Sequence, residues 1–295
     1  MMKTSIGRLL AAALISVAGF ASAAEPIVVG SKNFTEQYIL AEIYAAALEN
    51  AGFRVERKIN LGGTLIAHKA LTSGDIDLYP EYTGTALSSV VKGEASTDAD
   101  KVYNEVKTFY AREFNLTWLK PTGINNGYVI VVRGDTAAKH HLRTLSDLAQ
   151  ASKSLVFGGG PEFPDRQDGL PGLKRVYGAE FKEFRQFAKL GLRYDALLQS
   201  EIDVVNGSAT DWQIGARKLV ALEDDKGLFP PYFVAPVVRQ SVLTANPRAA
   251  EVLEAIGPHL DNATMRTLNA RVETEHEEPK DVAVAFLKEK GLLPR

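Results

Sequence analysis

Pro26-Ile27-Val28-Val29-Gly30-Ser31-Lys32-Asn33-Phe34-Thr35-Glu36-Gln37 begins with a short apolar run ended by glycine and passes through a polar turn. It then leads into Ile39, Leu40, Ile43, Tyr44, Ala47 and Leu48 at helical spacing. The stretch reads as strand, turn, helix. Further along, residues 53–59 read as a second strand, Gly62-Gly63-Thr64 as a turn, residues 65–71 as a helix and Ile76-Asp77-Leu78-Tyr79 as a third strand. Strands alternating with helices imply βαβ units and place the chain in the α/β class, with largely parallel sheets flanked by helices. A new apolar run, Tyr128-Val129-Ile130-Val131-Val132, follows Asn125-Asn126-Gly127, and the alternation resumes through Leu155-Val156-Phe157 and Ile202-Asp203-Val204-Val205. Phe229-Pro230-Pro231-Tyr232 introduces one more strand run at 234–238. Beyond it the chain reads helical, punctuated by Pro247, Pro258 and Pro279, and is expected to return to the first lobe. The expected organisation is two lobes, residues 24–127 with 232–295 and residues 128–231, with no repeat of fixed period.

The 295 residues carry 34 Lys and Arg against 36 Asp and Glu, a formal charge of −2, so no basic excess is available to neutralise a run of phosphates. Nucleic acid is not an expected partner. The absence of Cys excludes a thiol nucleophile, a disulfide framework and Cys-ligated zinc. Lys3 and Arg8 precede an apolar stretch at 9–20, and Ala21-Ser22-Ala23 supplies small residues at the spacing of a cleavage site. That pattern reads as a secretory signal peptide over residues 1–23, too short to cross roughly 30 Å of hydrocarbon at about 1.5 Å per residue. Its removal leaves 272 residues, takes away two cations and shifts the formal charge to −4. The expected product is exported to the periplasm, soluble and mildly acidic.

In open α/β sheets, ligands sit beyond the carboxyl ends of strands. Five segments there are read as loops: residues 31–37, 79–85, 125–128, 158–166 and 229–232. Together they offer tyrosine faces (Tyr82, Tyr128, Tyr232), cations (Lys32, Arg166) and intervening hydroxyl and amide groups. Electron-rich rings attract a quaternary ammonium, which has no N–H to donate, and a guanidinium or ammonium pairs with a carboxylate. The set therefore suits a zwitterion. Any one of these tyrosines alone reads as a half-buried strand-end residue, and either cation alone as a solvated charge. Gly158-Gly159-Gly160 lacks the Gly-Lys-Ser/Thr of a phosphate loop.

Ser31-Lys32-Asn33-Phe34-Thr35-Glu36, Gly62-Gly63-Thr64, Asp77-Leu78-Tyr79-Pro80-Glu81-Tyr82-Thr83-Gly84-Thr85, residues 163–173 and residues 224–232 resemble the substrate-binding proteins of osmoprotectant (glycine betaine, carnitine, choline) ABC transporters. The resemblance covers nearly all of the chain after the leader. It implies a two-lobed, type II periplasmic-binding fold closing on its ligand, no catalysis and no cofactor, and delivery to a membrane permease powered by an ATPase. It also implies that Tyr82, Tyr128 and Tyr232 belong to an aromatic cage, that Lys32, Thr85 and Arg166 bind the carboxylate, and that Asn126 lies near the cage. A fourth cage tyrosine is expected where this chain has Ser208, within Asn206-Gly207-Ser208-Ala209-Thr210-Asp211-Trp212. Trp212 is expected to pack.

Ser208 leaves room for a bulkier, ergothioneine-like betaine. A plain amino acid is a further alternative, with Glu81 as the acceptor for its ammonium. A secreted hydrolase is the alternative from another class. It would have to draw on His68, His140, His141, His259 or His276, with no Gly-x-Ser-x-Gly elbow and no metal-ligand spacing. A monomer is expected, because both lobes must be presented to a permease.

Overall fold

The computed structural model describes residues 25–294 apart from Ala95; the leader read at residues 1–23 lies outside the described residues. The opening stretch forms β1 (Ile27–Gly30) and then the helix Thr35–Asn50. Twelve of that helix's sixteen residues are buried, because it is apolar on nearly every side and is covered on both. The first sheet lies against one flank. The C-terminal helices Arg248–Ile256, Asn262–Thr274 and Pro279–Glu289 lie against the other, contributing Leu253, Met265, Leu268, Val282, Phe286 and Leu287 to a shared core. The tail thus returns to the first sheet.

That sheet contains β2 (Val55–Lys58), β1, β3 (Leu78–Tyr82), β10 (Val234–Arg239) and β4 (Leu116–Trp118), in that spatial order. The second sheet contains β7 (Glu183–Gln186), β6 (Val156–Gly159), β8 (Val204–Ser208), β5 (Tyr128–Val132) and β9 (Val220–Leu222). The two orders have the same form. In each, three strands are parallel, a fourth is antiparallel to both its neighbours, and the fifth runs with the first three. The reversed strand, β10 in one sheet and β5 in the other, is the one on which the chain enters after crossing between sheets. The sheets are therefore mostly parallel but mixed.

The two crossings lie side by side. Asn126 N donates to Tyr232 O at 3.1 Å, Val234 N to Ile124 O at 3.0 Å, and Tyr232 N to Asn125 Oδ1 at 2.8 Å. This short ribbon joins the two sheets.

Two segments read as loops prove to be strand in part. Residues 79–82 belong to β3, which is buried along its whole length. Pro80 opposes Pro236 across the β3–β10 ladder, yet Pro80 O accepts from Gln37 Nε2 on one side and Pro236 O accepts from Leu119 N on the other. The polar edges of the two prolines point away from each other, so neither missing N–H is required between the strands. Gly158 and Gly159 close β6 because a Cβ at either would meet Ile202 at 2.3 Å or Phe184 at 2.7 Å. Asn206, Gly207 and Ser208 end β8, with Ser208 paired to Tyr128.

Candidate functional site

The carboxyl ends of β1 and β3 face those of β6 and β8, and side chains from the two sheets meet there. At the rim of the second sheet, Tyr128 starts β5 with its ring edge-to-face against Tyr232 (5.5 Å between centroids), Phe163 (5.5 Å) and Phe229 (5.9 Å). The Arg166 guanidinium stands 5.1 Å from the Tyr128 ring centroid. Its Nε and Nη2 edge grips Asp168 at 2.8 and 2.7 Å, while Nη1 and Nη2 also reach Ser89 Oγ (3.1 Å) and Ser88 Oγ (3.0 Å) beside the first sheet. Tyr232 donates its hydroxyl to Asp168 Oδ2. Burial, reinforced by the Asp168 carboxylate, holds that phenol well above its ordinary range, so it stays a donor. Gly84 is required against this ring: a Cβ there would lie 2.8 Å from two ring carbons of Tyr232.

On the first sheet, Lys32 follows β1 and is buried. Its ammonium donates to Glu81 Oε1 at 2.5 Å and Thr64 Oγ1 at 3.1 Å, and lies 5.0 Å from the Tyr82 ring centroid. Burial pulls this ammonium below its ordinary pKa, and the Glu81 carboxylate opposes that pull. Glu81 also accepts from the Tyr79 hydroxyl (2.9 Å) and from Tyr82 N (2.6 Å), and is fully enclosed. Its oxygens are committed within the protein, which removes the role considered for it as acceptor of an amino acid's ammonium. Thr85 is buried in the helical turn Thr83–Ala86 that follows β3.

Tyr82 stacks on Phe34 at 6.3 Å and donates to Glu36 Oε1 at 2.8 Å. Glu36 is a hub. It also accepts from Asn126 Nδ2 (2.9 Å) on the first crossing, Thr210 Oγ1 (2.5 Å) after β8, and Asn269 Nδ2 (3.2 Å) on a C-terminal helix. Burial raises this carboxyl's pKa, and the four hydrogen bonds work against the rise. Asn126 in turn accepts from Thr210 N at 3.1 Å.

Ser208 caps β8, its N–H donating to Asp211 Oδ2 at 2.7 Å, the same oxygen that takes the Tyr194 hydroxyl at 2.7 Å. Trp212 is half-buried and joins the turn after β8 to the C-terminal helix: Nε1 donates to Glu273 Oε2 at 2.7 Å, joined by Gln213 Nε2 at 3.2 Å. The helix Asn262–Thr274 therefore binds residues 209–213 through Arg266, Asn269 and Glu273, spaced three and four apart on one face.

Burial raises the Asp211 carboxyl from 3.8 to about 7. Below pH 4 the group is protonated in both folded and unfolded chains. Between pH 4 and 7 only the unfolded chain ionises, so stability falls as pH rises through that window and levels off above it. Relative to Asp211→Asn, the wild type is expected to lose up to about 4 kcal/mol between pH 4 and pH 7, since each pH step of one across that window costs about 1.4 kcal/mol. Melting curves of the two proteins at half-unit pH steps check this, and curves that run parallel across the window contradict it.

The sequence reading missed Glu36, Asp168, Thr210 and Asn269 as organising residues. A usable signal existed for the first two. Glu36 is the acidic residue in the first turn of a helix too apolar to be a surface helix, and Asp168 lies two residues beyond a cation already singled out.

With this geometry established, the chain can be set beside known proteins. The family model described as the substrate-binding domain of an ABC-type glycine betaine transport system matches residues 25–289. A glycine-betaine-binding protein of Pseudomonas aeruginosa is 38% identical over 96% of this chain and 94% of its own length. An ergothioneine transport permease/ergothioneine binding protein of Helicobacter pylori (strain G27) is 36% identical over 96% of this chain, which spans 51% of that protein, about half its length. Among solved structures, one described as a glycine betaine/carnitine/choline ABC transporter superposes with a TM-score of 0.74 at 30% identity, covering 90% of this chain and 99% of its own. The fold is accordingly that of type II periplasmic binding proteins. Matched along nearly its whole described length, the chain belongs to the family of substrate-binding domains of ABC-type glycine betaine transport systems.

Proposed function

We propose that this protein captures a quaternary-ammonium compatible solute, glycine betaine or a related betaine, choline or carnitine, between its two sheets and passes it unchanged to a membrane permease. The observation that carries this reading is that the tyrosine rings of the site already attract cations: Lys32 stands over Tyr82 at 5.0 Å and Arg166 over Tyr128 at 5.1 Å. A methylated ammonium competes for such faces without needing acceptors, at about 2 kcal/mol per desolvated contact. Tyr82, Tyr128 and Tyr232 are assigned to the ammonium, with Asn126 beside them. Lys32, Thr85 and Arg166 are assigned to the opposite charge, although each cation already holds an internal carboxylate.

Residues 24–127 with 232–295 are taken as one lobe and 128–231 as the other, a division supported by the sheet memberships and the paired crossings. Export through the leader at 1–23 to the periplasm, an ATPase behind the permease, and a monomeric state complete the proposal. Ser208, where a cage ring is expected, favours one second reading: a betaine with a larger substituent, as the name of the Helicobacter pylori relative suggests.

Thermal unfolding with glycine betaine, proline betaine, choline, carnitine, ergothioneine and unmethylated amino acids tests both. At a hundred times its dissociation constant a ligand stabilises by about 2.7 kcal/mol. For a protein of this size that raises Tm by roughly 5–10 °C. A shift confined to methylated ammonium compounds is expected. A shift only with primary amines, or none, overturns the assignment, and the size ranking separates the two readings.

A further inference from the structure

The two lobes touch within the candidate site, where Arg166 reaches Ser88 and Ser89 and a Cβ at Gly63 would lie 2.5 Å from Glu162 Oε1. They touch again along the helix Asn262–Thr274, which Met265 and Leu268 hold in the core shared with Thr35–Asn50. Asn262, Arg266, Asn269 and Glu273 recur at helical spacing and form one polar stripe on it. Asn262 pins the first crossing: its Oδ1 accepts from Asn125 N at 2.8 Å and its Nδ2 donates to Asn125 O at 2.9 Å. Further along, Arg266 Nη1 donates to Ala209 O at 2.9 Å and Asn269 Nδ2 to Thr210 O at 3.3 Å. Glu273 ends the stripe on the short helix Trp212–Ala216 of the second lobe, where its Oε2 takes both Trp212 Nε1 and Gln213 Nε2.

Distance from the crossing sorts these links. Asn125 belongs to the crossing, so its bonds to Asn262 turn with a hinge motion and survive it. Glu273 lies about 16 Å further along the helix, at about 1.5 Å per residue, and its link to the second lobe is the one on this stripe farthest from the pivot. That link joins side chain to side chain through one carboxylate oxygen, and charge-assisted bonds of this kind are roughly twice as strong as neutral ones. Gln213 is buried and its Oε1 already lacks a partner, so withdrawal of Glu273 would leave the whole amide stranded. The Trp212 ring also carries the Arg217 guanidinium, 5.8 Å from its centroid. No hydrogen bond or ion pair among the described residues joins Glu273 to Lys32, Arg166, Tyr82, Tyr128 or Tyr232. The link therefore acts between the lobes without entering the ligand's place.

We propose that Glu273, by accepting from Trp212 and Gln213, latches the two lobes shut from outside the site and so sets the closed fraction of the ligand-free protein. The proposal rests on the two-lobe reading above and goes beyond it, since it holds whatever the ligand is. Opening about the crossing separates Glu273 from Trp212 and Gln213 while Asn262 stays on Asn125. Affinity then depends on the latch through the population of the closed form alone, equally for every ligand that needs the closed form.

The test is small-angle X-ray scattering of the ligand-free wild type, Glu273→Ala, Trp212→Phe and Glu273→Gln, with melting curves and with titrations of glycine betaine, carnitine and choline. The ligand-free wild type is expected to scatter as the closed arrangement does. Glu273→Ala is expected to enlarge the radius of gyration by about 1 Å, the order of a hinge opening in a chain of this size, and Trp212→Phe by a smaller amount. Glu273→Gln keeps an acceptor for the indole and is expected to stay near wild type. Glu273→Ala should weaken all three ligands by one factor, about threefold, because the apparent Kd scales inversely with the closed fraction. An unchanged radius in both Glu273→Ala and Trp212→Phe overturns the proposal, as does a wild type already as expanded as Glu273→Ala. A loss confined to one ligand also overturns it, since that places Glu273 in the site. If Glu273→Ala no longer melts cooperatively, Trp212→Phe decides, because it removes one N–H and keeps an aromatic ring. Failure of all three ligands to bind the wild type sinks the betaine reading, and scattering of the ligand-free proteins still decides the latch.

Discussion

Replacing Glu36 with alanine is expected to lower the melting temperature by roughly 10 °C, at about 2–4 °C per kcal/mol for a protein of this size. The carboxylate is the shared acceptor of Tyr82, Asn126, Thr210 and Asn269, at 2.5–3.2 Å, and is 3% exposed. Alanine leaves four donors without it, Tyr82, Thr210 and Asn269 buried and Asn126 half-buried, of which Asn269 Nδ2 keeps Thr210 O. A buried group stranded in this way costs about 1–3 kcal/mol. Against that stands relief from burying an anion, whose cost is visible in the upward pull of burial on the Glu36 pKa. The donors left stranded, Tyr82 and Thr210 above all, outweigh one desolvated carboxylate that was already well solvated by the protein, so a net loss of about 3–5 kcal/mol is the balance. Glu36→Gln separates the terms. It keeps one acceptor oxygen; its new amide can be met by a rotated Thr210 hydroxyl but not by the Asn269 amide nitrogen, which only donates. About half the loss is expected. A Glu36→Ala protein melting within about 2 °C of wild type at neutral pH would show that the hub is dispensable.

The hub also marks where reading the sequence stops working. Helix and strand periods are local, so β1, the helix Thr35–Asn50 and β5 can be read directly from spacing. The reversed direction of β5 and β10 cannot, because a strand's own residues do not record which way its neighbour runs. Pro80-Glu81-Tyr82 reads as loop for a related reason. Proline signals a break unless its partner strand is known, and here the partner is Pro236, 156 positions later, with its polar edge turned away. The tyrosines and cations are legible because they fall in one long motif and its companions. Glu36 is not, since its partners stand 46, 90, 174 and 233 positions away and only the closure of the two sheets brings them together.

Removing two ring faces together should have the largest effect on binding. Tyr82→Ala with Tyr232→Ala is expected to weaken glycine betaine about a thousandfold, from the loss of two desolvated cation–π contacts worth about 2 kcal/mol each. Both tyrosines are also core residues, 4% and 2% exposed, and truncating a buried aromatic costs about 3–5 kcal/mol of stability. The alanine pair could therefore lose binding by unfolding. Tyr82→Leu with Tyr232→Leu guards against that, since leucine fills much of the volume and offers no π face, and it is expected to show nearly the same loss of affinity. Phenylalanine at both sites isolates the hydroxyls. It withdraws one donor from Glu36 and one from Asp168, each retaining other partners, and keeps both faces. Affinity within about fivefold of wild type is expected, with Tm lower by a few degrees at about 1 kcal/mol per lost hydrogen bond. The order phenylalanine, then leucine and alanine together, is what distinguishes attraction to ring faces from hydrogen bonding by phenols. If the leucine pair binds glycine betaine within tenfold of wild type, the ammonium is held elsewhere and the cage assignment falls. If the phenylalanine pair loses as much as the alanine pair, the phenol hydroxyls, through Glu36 and Asp168, carry the recognition instead.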